Sequence, residues 1–522
     1  MKDYDYIIIG SGFGGSVSAL RLTEKGYNVL VIEKGKDYRD HNFAKTNLNL
    51  KKWLWMPWVK FFGIQQLHFF KHVNILSGVG VGGGSLVYAN TLPKPKKQFF
   101  NHGSWNGLED WESKLDPFYD EAWRMLGAKT NPRLYDSDIV LRKIAKEINK
   151  ENEFQPTKVA VYFGEEGKEV KDPFFEGEGP NRTGCTFCGA CMTGCRVGAK
   201  NTLDKNYLYL AEKMGAKILP ETKVIDLIPI NKNGSEGYRV ITRSSTRYFS
   251  RKKELSCSGV IFSAGVLGTV PLLLKLKKTN RLPFLSDSLG RNIRTNNESL
   301  IVNVSDNRDV DLSKGVAIGS ILEVDENSHL ETCRYGKGSS FWKFLIFPFI
   351  NEPKNSLRLK LLFTKFLKNP LSFFTNIFVK DFAKFSNVSL FMQHLDSTLK
   401  LTLGGIYGIK TKLDVGNAPS AFIPKAIEMS DLMNKTLNSK SHVLNIESLG
   451  GVPSTAHILG GACMGENDSS GVIDKDNRVF NYENMFVFDG SMISANPGVN
   501  PSLSITAISE YGMSKIKEKT IG

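Results

Sequence analysis

The stretch of sequence that decides the fold is Tyr6-Ile-Ile-Ile-Gly10-Ser-Gly12-Phe-Gly-Gly15, in which an apolar run leads directly into a glycine-rich turn. The apolar run predicts a buried strand, and the residues from Gly15 to Lys25 predict the helix that follows the turn. A second apolar run, Val29–Ile32, ends at the acidic residue Glu33. This order of strand, turn, helix and strand is typical of a doubly wound parallel sheet, so the sequence predicts an α/β fold with a Rossmann-like domain.

The glycine-rich turn and the acidic residue have the chemistry needed to bind a dinucleotide. Gly10 allows the tight turn, Gly12 lets the backbone approach a pyrophosphate, and Gly15 lets the helix pack closely on the strand. Ser11 lies in the same turn, and free N–H groups at the start of the helix attract negative charge. Glu33 would accept the two hydroxyls of an adenosine ribose. These features predict a dinucleotide site but do not distinguish FAD from NAD.

The composition is ordinary for an α/β enzyme. With 522 residues, of which 41% are hydrophobic and 23% charged, the chain can bury a large core, and its length favours two connected domains. The net charge of +15 is spread along the chain and accompanies no RNP, KH or helix-turn-helix pattern. We therefore expect no nucleic-acid partner.

The first residues and the cysteines indicate the compartment. The chain enters its first strand without the basic and apolar regions of a signal peptide. Its longest apolar runs, such as Phe344–Ile350, fall short of the roughly 18 residues that a membrane-spanning helix needs. Seven cysteines, four of them crowded together, favour a reducing compartment over a disulfide framework. We expect a cytoplasmic protein.

Several further segments resemble the glucose–methanol–choline (GMC) oxidoreductase family, and within it the cholesterol oxidase-like branch. The resemblance covers residues 4–34, 76–95, 185–300 and 450–517, somewhat over half of the chain. It implies FAD as the cofactor and an alcohol as the substrate. The segments that carry it are Gly80-Val-Gly-Gly-Gly-Ser-Leu-Val-Tyr-Ala-Asn90, Gly259–Leu274, His457–Gly465, Asn484–Gly490 and Gly498–Ala507.

The same resemblance implies which residues surround the cofactor. The glycine loop that ends at Asn90 matches the loop along the flavin edge, where side chains would collide with the ring. Val224 matches the residue whose backbone meets the adenine, and Asp489 matches the residue beside the ribityl chain. The full set implied in this way is Gly83, Gly84, Ser85, Asn90, Val224, Gly265, Asp489 and Gly490.

His457 and Asn500 match the pair that flanks the flavin N5 in the family. Oxidation of an alcohol removes a proton from oxygen and a hydride from carbon, so the site needs a base and a group that orients the hydroxyl. The resemblance implies that His457 is the base and that Asn500 orients the substrate. Asn500-Pro501 also reads as an N-cap followed by proline at the first position of a final helix, which would direct the positive end of that helix at the flavin.

Four cysteines, Cys185, Cys188, Cys191 and Cys195, have the C-x2-C-x2-C-x3-C spacing of a [4Fe–4S] site. Arg196 stands where proline usually follows in such sites. Three interpretations stay open, namely a cluster, a zinc ion, or thiols that bind no metal. With a cluster present, electrons would pass through it to a carrier or quinone instead of to dioxygen.

Two stretches, residues 53–62 and 341–385, combine many aromatic residues and Lys or Arg with almost no acid. They predict either a patch that docks on an anionic membrane surface or a cap that packs over the flavin with its lysines directed outward. Both interpretations give the site an apolar mouth, which favours a sterol or long-chain alcohol over a sugar. Some cholesterol oxidases also isomerise their product with a glutamate, but no such residue can be placed around Asn387–His394.

Together these observations predict a divided FAD-binding domain formed by residues 1–45, 200–300 and 445–522. Residues 46–199 would supply the flavin loop, a cap and the cysteine segment, and residues 301–444 an α+β substrate domain. The predicted function is FAD-dependent oxidation of a sterol-like secondary alcohol. Two alternatives remain, a dehydrogenase that passes electrons to a carrier or quinone, and a flavin electron-transfer module without alcohol chemistry.

Overall fold

The computed structural model describes residues 2–39 and 42–520. Its first layer is a seven-stranded sheet, here called the nucleotide sheet, in which both ends of the chain take part. The strand Met485–Val487, near the C-terminus, pairs in parallel with the last three residues of the strand Lys253–Phe262. The strands, in spatial order, are Lys217–Leu219, Val29–Ile32, Tyr4–Ile9, Lys253–Phe262, Tyr238–Ser244 and Thr222–Pro229, with Met485–Val487 beside Lys253–Phe262.

The strand Tyr4–Ile9 lies at the centre of the parallel part of the sheet, because it pairs in parallel with Val29–Ile32 on one side and Lys253–Phe262 on the other. Parallel strands are covered on both faces, which is why these runs are almost continuously apolar. The first helix, Phe13–Glu24, begins two residues earlier than the glycine pattern predicts, with Gly12 as its N-cap. The predicted Rossmann-like α/β fold is confirmed.

The final helix packs between two others and joins the chain ends. It runs from Ser502 to Ser514 and contacts the helices Phe13–Glu24 and Trp111–Met125. The carboxylate of Glu510 accepts from Arg21 Nε at 2.7 Å and is almost fully buried. The predicted N-cap at Asn500 is wrong, since Pro501 holds that position and the Asn500 side chain donates to Glu331 instead.

The second layer is an antiparallel seven-stranded sheet, here called the substrate sheet. The helices Asp136–Glu147 and Pro424–Leu437 cover one of its faces with apolar side chains. Its strand Phe154–Pro156 comes from outside residues 301–444, and the predicted domain limits stay a prediction. In spatial order the strands are Ile346–Pro348, Ser439–Leu444, Ser299–Ser305, Ser386–Gln393, Ser328–Cys333, Ile318–Glu323 and Phe154–Pro156.

Smaller elements connect the two sheets. No helix in the described ranges is long and apolar enough to cross a membrane. The remaining α-helices are Leu50–Trp53, Tyr207–Lys213, Val266–Lys278, Asn355–Lys368, Thr375–Phe378, Phe382–Phe385 and Asn445–Gly450. The remaining strands are Trp55–Met56, Phe61–Phe62, Gln65–Phe69, Asn74–Gly78, Lys129–Thr130, Lys158–Val159, Glu169–Val170, Arg182–Thr183, Ile293–Arg294, Thr398–Leu403, Ile409–Leu413 and Ser454–Thr455.

Candidate active site

A cavity of about 820 Å³ joins the two sheets. One part of its wall comes from the ends of the nucleotide-sheet strands, where ligands bind in folds of this type. The other part comes from the substrate sheet and is mostly apolar. Both predicted reacting residues, His457 and Asn500, line this same cavity. The structure therefore brings together two positions that lie 43 residues apart in the sequence.

The glycine-rich turn has the geometry that a pyrophosphate requires. Gly10 has φ of +105°, and a Cβ on Gly15 would lie 2.1 Å from the carbonyl oxygen of Gly10. Gly12 lines the cavity, and a Cβ there would meet only the Ser263 carbonyl, at 3.8 Å. The first N–H groups of the helix Phe13–Glu24 have no intrahelical partner, so they direct partial positive charge to this side.

Glu33 is nearly buried and lines the cavity at the end of its strand. Its Oε2 accepts from the Ser11 hydroxyl at 2.8 Å and from the Ser11 N–H at 3.2 Å. Its Oε1 accepts from the N–H of Gly35 at 2.8 Å. These bonds hold the carboxylate in place and leave oxygen lone pairs for a ribose. Ser11 thus acts on the site through Glu33, and it does not itself line the cavity.

Asp489 and Gly265 form the opposite wall of the nucleotide part of the cavity. The Asp489 carboxylate accepts from the N–H groups of Ser491 and Gly265, at 2.7 and 2.9 Å. Burial raises the pKa of Asp489, although its hydrogen bonds act in the opposite direction. Gly265 has φ of +70°, and a Cβ there would meet nothing within 4 Å. This open space along the backbone fits a bound FAD. Val224 and Gly490 line the same part of the cavity.

The flavin loop, residues 80–90, differs along its length in how it contacts the cavity. Gly83 and Gly84 line the cavity, as the resemblance implies, whereas Ser85 is used internally, since its hydroxyl donates to Gly82 and accepts from Leu203. Asn90 is fully buried in the left-handed conformation, with φ of +60°. Neither polar atom of its side chain has a hydrogen-bond partner among the residues that the structure describes. Asn90 does not line the cavity, although its neighbours Ala89 and Thr91 do, so the structure does not place it against the cofactor space.

His457 is held by a glutamate that the sequence analysis did not identify. Its Nδ1 donates to Glu298 Oε2 at 2.9 Å, and the N–H of Ala456 donates to the other oxygen of Glu298 at 2.7 Å. Glu298 is fully buried, and 14% of the His457 side chain is exposed. Burial lowers the pKa of His457, but the charge and hydrogen bond of Glu298, together with the charge of Glu331, raise it above its ordinary value. The imidazole is therefore a stronger base than a free histidine.

Asn500 is connected to a second buried glutamate. Its Nδ2 donates to Glu331 Oε2 at 3.3 Å, while its Oδ1 has no partner in the described part of the chain. Glu331 is fully buried and lies on the strand Ser328–Cys333, which is adjacent to the strand containing Asn387–His394. Neither Glu298 nor Glu331 belongs to a motif, so only the pairing of distant segments reveals them.

The four cysteines of this segment differ in how they are placed in the fold. Among residues 2–39 and 42–520 no three His, Cys, Asp or Glu side chains are placed to hold a metal ion, so the cysteines do not fit the predicted cluster or zinc ion. Cys185 and Cys191 pack into an apolar cluster, Cys188 is exposed, and burial raises the pKa of Cys191 to about 11. Lys200, which follows the cysteines, donates to the carbonyls of Leu86, Tyr88 and Cys191. The segment thus supports the flavin loop.

The aromatic and basic stretches are partly buried and partly exposed. Trp53 and Trp55 are buried, and Trp342 and Phe382 line the cavity, as expected of a cap. The helix Asn355–Lys368 instead buries only Arg358 and Leu362 among its described side chains. The apolar side chains that line the rest of the cavity are Met192, Leu300, Val302, Ile318, Ile346, Val388, Leu390 and Leu444.

The cavity thus places an imidazole that is hydrogen-bonded to a carboxylate next to a dinucleotide-binding sheet. Two family models, both described as GMC oxidoreductase, match residues 4–294 and 405–509. The chain belongs to the GMC oxidoreductase family. It is an FAD-dependent oxidoreductase that acts on CH–OH donors.

Curated relatives agree with this assignment, and solved structures show a similar fold. The chain is 43% identical to a cholesterol oxidase of Acinetobacter baumannii, over 99% of this chain and 95% of the relative. It is 41% identical to a cholesterol oxidase of Mycobacterium tuberculosis, over 98% and 91% of the two chains. The fold is similar to that of a formate oxidase, with a TM-score of 0.63 at 15% identity, over 98% of this chain and 97% of the other.

Proposed function

We propose that the protein oxidises a sterol-like secondary alcohol to the ketone, with His457 as the base. The observation that carries this proposal is the pairing of His457 with Glu298 in a cavity whose substrate side is apolar. Relatives with more than 40% identity are named cholesterol oxidases. Dioxygen is the proposed electron acceptor, in agreement with the names of these relatives.

In the proposed reaction, Nδ1 of His457 keeps its proton, which Glu298 accepts in a hydrogen bond, so Nε2 is available to take the hydroxyl proton. Asn500, anchored by Glu331, orients the hydroxyl. FAD, when bound, supplies the hydride acceptor. The residues proposed to contact it line the cavity and are Gly10, Gly12, Glu33, Gly83, Gly84, Val224, Gly265, Asp489 and Gly490. Ser11, Gly15, Ser85 and Asn90 do not line the cavity and are proposed to shape its walls.

Anaerobic mixing of the purified holoenzyme with a panel of alcohols tests this function. Cholesterol should bleach the yellow flavin absorbance much faster than glucose, and His457→Ala should abolish bleaching while FAD remains bound. Oxygen consumption without an added acceptor tests the acceptor. Bleaching by glucose alone, or full bleaching by His457→Ala, would contradict the proposal. The position of the double bond in the ketone from a 5-ene sterol tests whether isomerisation also occurs.

We propose in addition that the helix Asn355–Lys368 rests on an anionic membrane surface, where apolar alcohols are found. This helix contains no acidic residue and four Lys or Arg. Phe363 and Leu367 are 63% and 65% exposed, although both are large and apolar. An exposed apolar surface with basic side chains matches the interior and the charge of an anionic bilayer edge. Entry from the membrane would agree with the apolar wall of the cavity.

Sedimentation with lipid vesicles tests this surface. The double variant Phe363→Glu/Leu367→Glu should bind phosphatidylglycerol vesicles at least about tenfold less tightly, since each buried apolar side chain contributes about 1.5–3 kcal/mol. Leu413→Glu, on the hairpin strand Ile409–Leu413, is the matched control because Leu413 is also exposed. Equal binding of both variants would contradict the proposal.

A further inference from the structure

A row of buried titratable side chains leads away from Asn500 along the substrate sheet. His329 and Glu331 lie on the same face of the strand Ser328–Cys333, because alternate residues of a strand share a face. Glu331 accepts from Asn500 at the inner end of the row. His329 Nε2 lies 3.7 Å from Glu331 Oε1, which is longer than a direct hydrogen bond. Both side chains are at most 1% exposed.

The outer end of the row reaches the protein surface. Glu323 lies directly opposite His329 in the antiparallel register, so their side chains share the same face of the sheet. Lys96 Nζ is 2.6 Å from Glu323 Oε2, and these side chains are 28% and 22% exposed. Lys96 also donates to the carbonyl oxygen of the exposed residue Glu326, at 3.0 Å. The side chains of Glu331, His329 and Glu323 thus follow one another in space from the reacting groups to solvent.

The polar atoms along this row lack protein partners. Within the described residues, no hydrogen bond satisfies either ring nitrogen of His329, Oε1 of Glu331 or Oδ1 of Asn500. Leaving a buried polar group unpaired costs about 1–3 kcal/mol, so several such groups side by side indicate ordered water between them. The 3.7 Å between His329 Nε2 and Glu331 Oε1 exceeds a direct hydrogen bond, so a proton would pass between them through an adjacent water molecule or after a small side-chain movement.

A second buried histidine borders the same region. A Cβ on Gly498 would lie 2.5 Å from Nδ1 of His394, so the turn that precedes Asn500 packs directly on this ring. Both ring nitrogens of His394 also lack partners in the described ranges. Burial, Lys96 and His329 lower the pKa of His394 to about 4. His394 therefore stays neutral near pH 7 and offers both a donor and an acceptor to water.

We propose that Glu331, His329 and Glu323 form a hydrated proton path that connects the His457–Asn500 site with solvent beside Lys96. The path rests on the proposed alcohol oxidation. FAD, when bound, would supply the acceptor for the hydride of the C–H bond, and the O–H bond of the alcohol breaks with its proton transferred to His457. The path carries this proton through water to Glu331, then to His329 and Glu323, and finally to solvent, so no additional oxidant or reductant is needed.

Stopped-flow mixing of the holoenzyme with cholesterol in weak buffer, with a pH indicator and without oxygen, tests the path. The pH is chosen on the plateau of the rate profile, where His457 starts neutral. In the wild-type protein, proton release should keep pace with flavin bleaching. In His329→Leu, bleaching in the first turnover should be nearly unchanged, but proton release should lag behind it by at least about tenfold, since positioned proton transfer contributes factors of this size or larger.

Two further variants keep the test decisive. Thr332→Val is the matched control, because Thr332 is fully buried on the other face of the same strand. Glu323→Gln, at the partly exposed end, should slow proton release as His329→Leu does. It replaces His329→Leu in the test if that buried variant does not fold. Unchanged proton release in the folded variants, or a wild-type protein that retains the proton, would overturn the path. Failure of every alcohol to bleach the flavin would instead refute the proposed function.

Discussion

Glu298→Gln should move the acid limb of the pH–rate profile to lower pH. His457 acts as a base only when neutral, and the Glu298 carboxylate raises its pKa through a 2.9 Å hydrogen bond between largely buried groups. A hydrogen bond to a charged group contributes about 1.5–3 kcal/mol. Since one pKa unit corresponds to about 1.4 kcal/mol, the limb should move down by about one to two units.

The variant should also react more slowly on the plateau. Glu298 accepts from both His457 and the N–H of Ala456, and an amide has only one oxygen for these two donors. The assay is the rate of flavin bleaching by cholesterol in a single anaerobic turnover, measured across pH so that product release does not contribute.

Glu447→Gln is the matched control for this prediction. Burial raises the pKa of Glu447 to about 8, and this carboxyl lies outside the wall of the cavity. It is therefore mostly protonated near pH 7, and glutamine imitates that form. The acid limb of this variant should match that of the wild-type protein. If the acid limb of Glu298→Gln lay at the same pH as that of the wild-type protein or at a higher pH, the assignment of His457 as a base controlled by Glu298 would be refuted.

Three more substitutions test the site and the fold. Gly12→Val places a side chain in the open space of the cavity without backbone strain, so FAD affinity should fall at least about tenfold, or 1.4 kcal/mol, in equilibrium dialysis. Asn500→Ala removes the hydrogen bond to Glu331 and the group that orients the substrate, so kcat should fall about a hundredfold with FAD still bound. Glu510→Gln removes one of the three carboxylates that pair with Arg21, and since Glu24 and Glu121 remain, urea unfolding should show a loss of about 1.5–3 kcal/mol, that of a hydrogen bond to a charged group. A loss below about 1 kcal/mol would show that this pair does not hold the chain ends together.

The sequence alone was sufficient for the first strand, turn, helix and second strand of the nucleotide sheet. The strand, the glycines and Glu33 lie within thirty residues of one another, and local backbone geometry decides what each of them does. The resemblance of the C-terminal segment was enough to single out His457 and Asn500. Cysteine spacing left three interpretations open, because metal binding depends on where the four side chains lie and not on their order in the chain; among the described residues no three His, Cys, Asp or Glu side chains are placed to hold a metal ion.

The tertiary structure decided how the reacting groups are supported. Glu298 and Glu331 come from segments with no recognisable motif, and their contacts with His457 and Asn500 join positions 159 and 169 residues apart. The register of the substrate sheet places Glu323 opposite His329, and no local pattern encodes that pairing. A sequence determines local conformation through neighbouring residues, whereas the partners of a buried side chain depend on which distant strands pair and in which register.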